Sequence, residues 1–428
     1  MLRRVGFNAS AETIVYSYMN FWIRPILLLT LLAVLPGLPQ PSESSDVIPN
    51  DPLFRLQYSL HNPHGEKVKI PASRVGRPDI ELSATPGFDL NVTRAWKLTT
   101  GSGKVIVAVL DDGFFYQHED IRDNLWRNAG ETGTDARGRS KATNGVDDDG
   151  NGYADDVVGW DFAFDDPDPD AYIFDGMDRD RIQPAWHSIS ALGIIGAKGN
   201  NGIGVAGINW NVSLMLLKIG AQGIRRGELD RERPHRAARA IRYAVDNGAR
   251  IINWSGFVDQ RNLAELSELR AAFDYAEQRR ILIVLGAGNS ADDLDVPEKA
   301  FYPQMFPNKN IMRVAEVDLT GKLAPHSNFG KRAVHIAAIG RNYTTFVFNG
   351  LSTYEPVVGT SNSGPVVSGV AALMLSIRPD MAADQMKQIL TDSARRLPEL
   401  GEKVACGGAI DAYAAVAAAL RYPNAAIR

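Results

Sequence analysis

The sequence predicts an α/β protein, a mostly parallel sheet with helices on both faces, and three observations carry that prediction. Apolar runs of strand length recur along the chain: Val105–Leu110, Val212–Ile219, Arg250–Trp254, Ile281–Gly288 and Ile311–Val317. These runs are near-continuous rather than alternating, which marks strands buried on both faces. Segments of helical period lie between them, and strand, helix, strand in sequence requires crossovers that cover the sheet on both sides. Ligands and reacting groups in such sheets gather at the carboxyl ends of the strands.

Taken in chain order, the first feature is Arg24 followed by the apolar run Pro25–Leu38 and the polar stretch PQPSESS. This reads as a signal peptide or N-terminal anchor over 1–41, with Met19 as an alternative start. A signal peptide implies a secreted protein, extracellular or periplasmic, and contact with a membrane only if the segment stays uncleaved. Residues 42–87 are rich in proline and polar residues and read as an extended arm or linker. A domain is expected over 88–421, and a tail over 422–428.

The first long apolar strand, VIVAVL, runs straight into Asp111-Asp112-Gly113, placing a carboxylate at a strand end with glycine for a sharp exit. A G-x-G-x-x-G turn, which a dinucleotide-binding oxidoreductase would need there, is absent. His187 opens HSISALGIIGAKG, a small and apolar stretch suited to a buried helix with the imidazole at its open end. The stretch HRAARAIRYAVDNG places Ala237, Ile241, Ala244 and Val245 on one helical face, with Gly248 as the stop. The basic run Arg225, Arg226, Arg231, Arg233 and Arg236 is interleaved with acids and reads as a solvated loop.

Further along, the strand ILIVLGAG ends in Asn289, and Gly359-Thr360-Ser361 leads into the helical stretch Pro365–Ile377. A serine at a helix N-terminus sits where free N–H groups favour developing negative charge. Taken singly, each of these residues also has a structural reading: an acid ending a strand, a packed histidine, a helix cap, an asparagine in a turn. A serine hydroxyl is inert until a base takes its proton, so the chemistry needs all of them together.

Asp, His, Ser is one of the chain orders in which a nucleophilic triad is built. Together VIVAVLDDG with HEDI, His187 before GIIGA and NNGIGVAG, GAGN at Asn289, and GTS-x-x-x-P before VAALML resemble the subtilases, in register from about Asn50 to Ala419. The resemblance implies the subtilisin-like three-layer fold and a serine endopeptidase acting on polypeptides. It gives Asp111, His187 and Ser361 as the triad, Asn289 as an oxyanion donor, and Asn253, Trp254, Ser255 and Gly256 as the segment beside which substrate lies. No redox or nucleotide cofactor is expected. The net charge of −4 shows no footprint for nucleic acid, and the chain is read as a monomer.

Calcium is the expected ion. Asp147-x-Asp149-x-Asn151-Gly152 spaces oxygen ligands at every second residue, and Asp155 could add another. Val158 stands where a helix-loop-helix site would carry its bidentate Glu, so an open acidic loop is the reading. The resemblance implies a second site, with side-chain oxygens from Asp120 and Asn201 and carbonyls from Gly199, Ile203 and Val205. Cys406 is the single cysteine, so no disulfide can form within the chain, and an ion that binds only the native state would add stability.

The chain departs from the family pattern at several places. Ser188, Ile189 and Ser190 replace the Gly, Thr and second His that commonly follow the catalytic His, and Asn362 follows the nucleophile where Met is common. Phe257 stands where glycine often lies beside the substrate strand. Asp112 replaces the Thr or Ser after the catalytic acid, a change shared with the kexin-like branch. These departures leave two readings, an active endopeptidase and an inactive subtilase-fold binding protein.

Overall fold

In the computed structural model the described residues are 46–70, 79–171, 186–220, 226–258, 266–348 and 350–422. The segment read as signal peptide or anchor lies outside them, as do residues 423–428. Strands are β1 (Lys67–Ile70), β2 (Ile80–Ser83), β3 (Gly101–Asp111), β4 (Gly159–Asp161), β5 (Asn211–Lys218), β6 (Ile251–Trp254), β7 (Leu282–Gly286), β8 (Ile311–Val317), β9 (Ile336–Ile339), β10 (Asn342–Phe348), β11 (Leu351–Val357), β12 (Arg395–Arg396) and β13 (Gly408–Ala409). Helices are α1 (Val92–Ala95), α2 (Trp186–Gly196), α3 (Arg226–Asp246), α4 (Ser267–Gln278), α5 (Thr360–Ile377), α6 (Ala383–Asp392) and α7 (Ala412–Arg421).

Nine strands form one sheet in the order β12-β13-β9-β8-β7-β6-β3-β5-β4, parallel throughout except for β12 against β13 at one edge. Strand alternation sorts the side chains into two cores. Val107 and Val109 of β3 and Leu214 and Leu216 of β5 meet Ile189 and Leu192 of α2 and Val370 and Leu373 of α5. Ala108, Leu110, Met215 and Leu217 meet Ala237 and Ile241 of α3 and Leu269 and Phe273 of α4. The result is three layers, helix, sheet and helix, as the sequence predicts. Helix α5 is apolar around most of its circumference, which fits its position against the centre of the sheet.

Two expectations are corrected. Residues 46–62 do not extend away as a linker: Phe54, Leu56 and Leu60 are buried in the main core, and Gln57 exchanges hydrogen bonds with Ala206 N and O at 2.9 and 2.8 Å. The short apolar pieces between the prolines are what anchor it. The basic run is not a loop either. It belongs to α3 from Arg226 onward, with Arg236 5% exposed and Arg233 turned toward Asp112.

Candidate active site

Strand β3 lies inside the sheet between β5 and β6, so Asp111 at its carboxyl end is surrounded by neighbouring strand ends. Gly113 then turns the chain with φ of +112°, and a Cβ there would meet Ala171 Cα at 3.0 Å. Asp111 is 7% exposed, and its Oδ1 accepts the Asp112 N–H at 2.8 Å.

His187 is the second residue of α2 and reaches back across 76 residues of sequence, its Nδ1 lying 2.8 Å from Asp111 Oδ2 and 3.0 Å from Oδ1. A carboxylate accepting at Nδ1 selects the tautomer with the proton there, which leaves Nε2 as the base. Burial alone would lower the imidazole pKa, but the charge of Asp111 and its hydrogen bond outweigh it, and the pKa lies above its ordinary 6.5. Trp186 packs edge-on against the ring at 5.7 Å.

Ser361 is the second residue of α5, reached through Gly359 at φ of +127°. Its Oγ donates to Ser255 O at 3.4 Å, and among the described residues no hydrogen bond joins it to His187. The structure therefore unites His187 with Asp111 and places Ser361 in the same cavity, its hydroxyl turned to the β6 loop. Catalytic hydrogen bonds are often loose without substrate. The cavity, about 640 Å³, also holds Asn289. Asn289 Oδ1 accepts both Thr360 N and Thr360 Oγ1 at 3.0 Å, which fixes the amide so that its NH₂ is the end left to donate. Thr360, unassigned from sequence although it sits inside the GTS motif, is the positioning residue for Asn289.

Of the expected substrate segment, Trp254, Ser255 and Gly256 line the cavity. Asn253 does not: strand alternation turns it toward α5, where it is 1% exposed and accepts from Ser368 Oγ at 2.9 Å. Phe257 is 56% exposed at the rim, edge-on to Phe301 at 6.3 Å. Asp112 pairs with Arg233 at 2.7 Å; burial raises its pKa, against the pull of that guanidinium.

The departures near the triad are absorbed locally. Ile189 is fully buried among the core side chains of its layer. The Ser188 hydroxyl donates to Gly113 O, and Ser190 Oγ donates to His187 O at 2.8 Å with Asn362 Oδ1 3.2 Å away.

Two acidic loops were expected to hold calcium. In the first, Asp147 and Asp149 come together with Glu131, each offering an oxygen within 4.8 Å of the others. Glu131 lies too far upstream for the loop pattern to reveal it. Asp155 instead accepts Gly145 N, and Asn151 donates to Asp156 Oδ2 at 2.8 Å. In the second, the loop Gly199–Val205 folds around Asp120, whose carboxylate accepts Asn201 Nδ2 and Val205 N, each at 2.9 Å, while Asn201 Oδ1 accepts Ile203 N at 2.8 Å. Asp51, from the segment read as a linker, accepts Asn200 N at 2.7 Å. Burial pushes Asp120 up to about 7, and the charges of Asp51 and Glu119 add to it. A buried carboxylate with a second one close by is a donor set that a hard cation would relieve.

The model of the Subtilase family (Peptidase_S8) matches residues 102–408. The chain belongs to the subtilase family. Among relatives, "Subtilisin-like protease 1" of Plasmodium vivax is 30% identical over 72% of this chain and 46% of its own length. The "Extracellular basic protease" of Dichelobacter nodosus is 28% identical over 88% of this chain and 57% of its own length. This subtilase thus spans about half the length of those relatives. Among solved structures, a protease from Pseudoalteromonas arctica PAMC 21717 covers 87% of this chain and 99% of its own, with a TM-score of 0.61 and 25% identity.

Proposed function

We propose that this subtilase is a secreted serine endopeptidase that hydrolyses peptide bonds through Asp111, His187 and Ser361. The observation that carries the reading is the His187 Nδ1 to Asp111 hydrogen bond at 2.8 Å, in one cavity with Ser361 and Asn289. Ser361 Oγ turns from Ser255 O to His187 Nε2 as substrate enters, loses its proton to Nε2 and attacks the scissile carbonyl. The oxyanion forms between Asn289 Nδ2 and the Ser361 N–H at the start of α5. Asp111 holds the imidazole tautomer and stabilises the imidazolium, which returns the proton to the leaving amine. Water then repeats the sequence on the acyl-enzyme.

Polypeptide lies along Trp254–Gly256, with Asn253 serving beneath as a support. The similarity to the "Extracellular basic protease" of Dichelobacter nodosus supports secretion. Calcium fits best at Asp120, with Asn201 and the carbonyls of Gly199, Ile203 and Val205 as partners and Asp51 close by; Glu131, Asp147 and Asp149 form the second candidate. The ion would act by stabilising the native loop. Digestion of an unfolded protein such as reduced casein, compared with Ser361→Ala, tests the activity. Fragments from the wild type alone are expected, and equal rates from both proteins would overturn the reading. A folded wild type that binds casein without cutting it would leave a binding protein.

A further inference from the structure

Two carboxylates stand at the end of β3, and the proposed mechanism uses only the first. Asp112 follows Asp111 directly and lines the same cavity as His187. Its N–H donates to Asp111 Oδ1 at 2.8 Å, and that same oxygen lies 3.0 Å from His187 Nδ1. The two acids thus act on one imidazole from one strand end. Each favours the imidazolium, and an imidazolium cannot take the proton of Ser361. A second acid without a counter-charge would hold the base protonated further up the pH scale.

A cation from another element supplies that counter-charge. Arg233 lies in α3, 121 residues along the chain, and its Nη2 donates to Asp112 Oδ1 at 2.7 Å. It too lines the cavity. The side chains of Arg233 and Asp112 are 18% and 26% exposed, so solvent and salt screen them less than a surface pair. Gly220, just beyond β5, leaves the room they occupy: a Cβ there would stand 2.4 Å from Asp112 Oδ1 and 2.6 Å from Arg233 Nη2.

The charges acting on His187 are led by Asp111 and Asp112 from β3, which favour its protonated form, and by Arg233 from α3, which disfavours it. Helices α2 and α5 carry no charged side chain besides His187, and neither does the segment from Trp254 to Phe257. Lys218 of β5, level with Asp111 in the sheet, is paired with Asp161 at 2.6 Å. Arg236, one turn on in α3, interacts with Glu232, Asp161 and Asp112.

We propose that Arg233 is a positioning residue for the catalytic base: it offsets the charge of Asp112 and so sets the pH above which His187 accepts the serine proton. It also holds Asp112 where its N–H meets Asp111. The inference deepens the endopeptidase reading and rests on it for its kinetic half. Loss of Arg233 leaves Asp112 without its close counter-charge. The imidazolium itself favours the ionised form of that acid, so the negative charge persists while His187 is protonated, and protonation persists to higher pH.

The test is the pH profile of kcat/KM, with each variant referred to its own alkaline plateau so that a general loss of activity does not register. Arg233→Met should move the acid limb upward, lowering relative kcat/KM by about threefold or more at about one pH unit below the wild-type midpoint. Arg233→Lys keeps the charge and should leave the limb near that of the wild type. Asp112→Asn should move it downward, and serves if Arg233→Met does not fold. The double variant, with neither charge, should fall between the two singles. NMR titration of His187 in Ser361→Ala, with and without Arg233→Met, reads the same shift without cleavage. Limbs that coincide in folded wild type, Arg233→Met and Asp112→Asn would overturn the inference and leave the ion pair a structural role. An upward shift that Arg233→Lys shares would overturn charge as its cause. A His187 midpoint that moves as expected while the wild type cleaves nothing would remove the protease reading and leave the charge balance standing.

Discussion

Ser190 Oγ donates to His187 O at 2.8 Å and lies 3.2 Å from Asn362 Oδ1, setting the helix that carries His187 against the helix that carries Ser361. Both residues stand where the family pattern has something else, so one departure partners the other. Asn362 is 3% exposed, and truncating either side chain removes packing beside the nucleophile. Ser190→Ala and Asn362→Ala are each expected to lower kcat/KM, by up to about a hundredfold if Ser361 or His187 shifts by ~1 Å. Because the two side chains are in contact, the double variant should be little worse than the poorer single. Losses that simply add would show the two sites to be independent.

Thr360 fixes the amide of Asn289 by donating twice to its Oδ1. Asn289→Ala should therefore remove a preoriented oxyanion donor, reducing kcat by about 10²–10³. The ground-state substrate makes little use of that donor, so KM should hardly change. Steady-state kinetics on one peptide checks both halves.

The Asp111 carboxylate raises the His187 pKa despite burial. His187 must be neutral to accept the serine proton, so a raised pKa keeps it protonated to higher pH and moves the acid limb of the kcat/KM profile above 6.5. Asp111→Asn should shift that limb downward and lower kcat by about 10⁴ through the wrong tautomer. A pH–rate profile whose acid limb lies at or below 6.5 in the wild type would contradict this electrostatic account.

The layers and the strand ends were legible because buried parallel strands are written as unbroken apolar runs. Asp111, His187, Asn289 and Ser361 were legible because each sits in a short motif at such an end. What escaped depends on contacts between distant segments. Glu131 joins Asp147 through a loop that closes in space. The motif around Asn253 does not separate it from the cavity-lining residues that follow, whereas alternation along β6 sends neighbouring side chains to opposite faces. Arg233 and Arg236 looked solvated because interleaved charge is usually exposed; a helix sorted that charge by face.

Asp120 is buried within the loop Gly199–Val205 and held near 7. If calcium neutralises it, chelation should lower the melting temperature, and added calcium should restore it. Asp120→Asn should respond less to chelator than the wild type, any remaining response belonging to Glu131, Asp147 and Asp149. An unchanged melt of the wild type with and without chelator would remove this site from the account.

Ser361 acts as an activated nucleophile in the proposed mechanism, although its hydroxyl rests on Ser255 O. Labelling of purified protein with a fluorophosphonate, followed by mapping of the modified peptide, tests it most directly. One adduct is expected, on Ser361, lost in Ser361→Ala and strongly slowed in His187→Ala. Correctly folded wild type that takes no label, or that takes it at another serine, would contradict it.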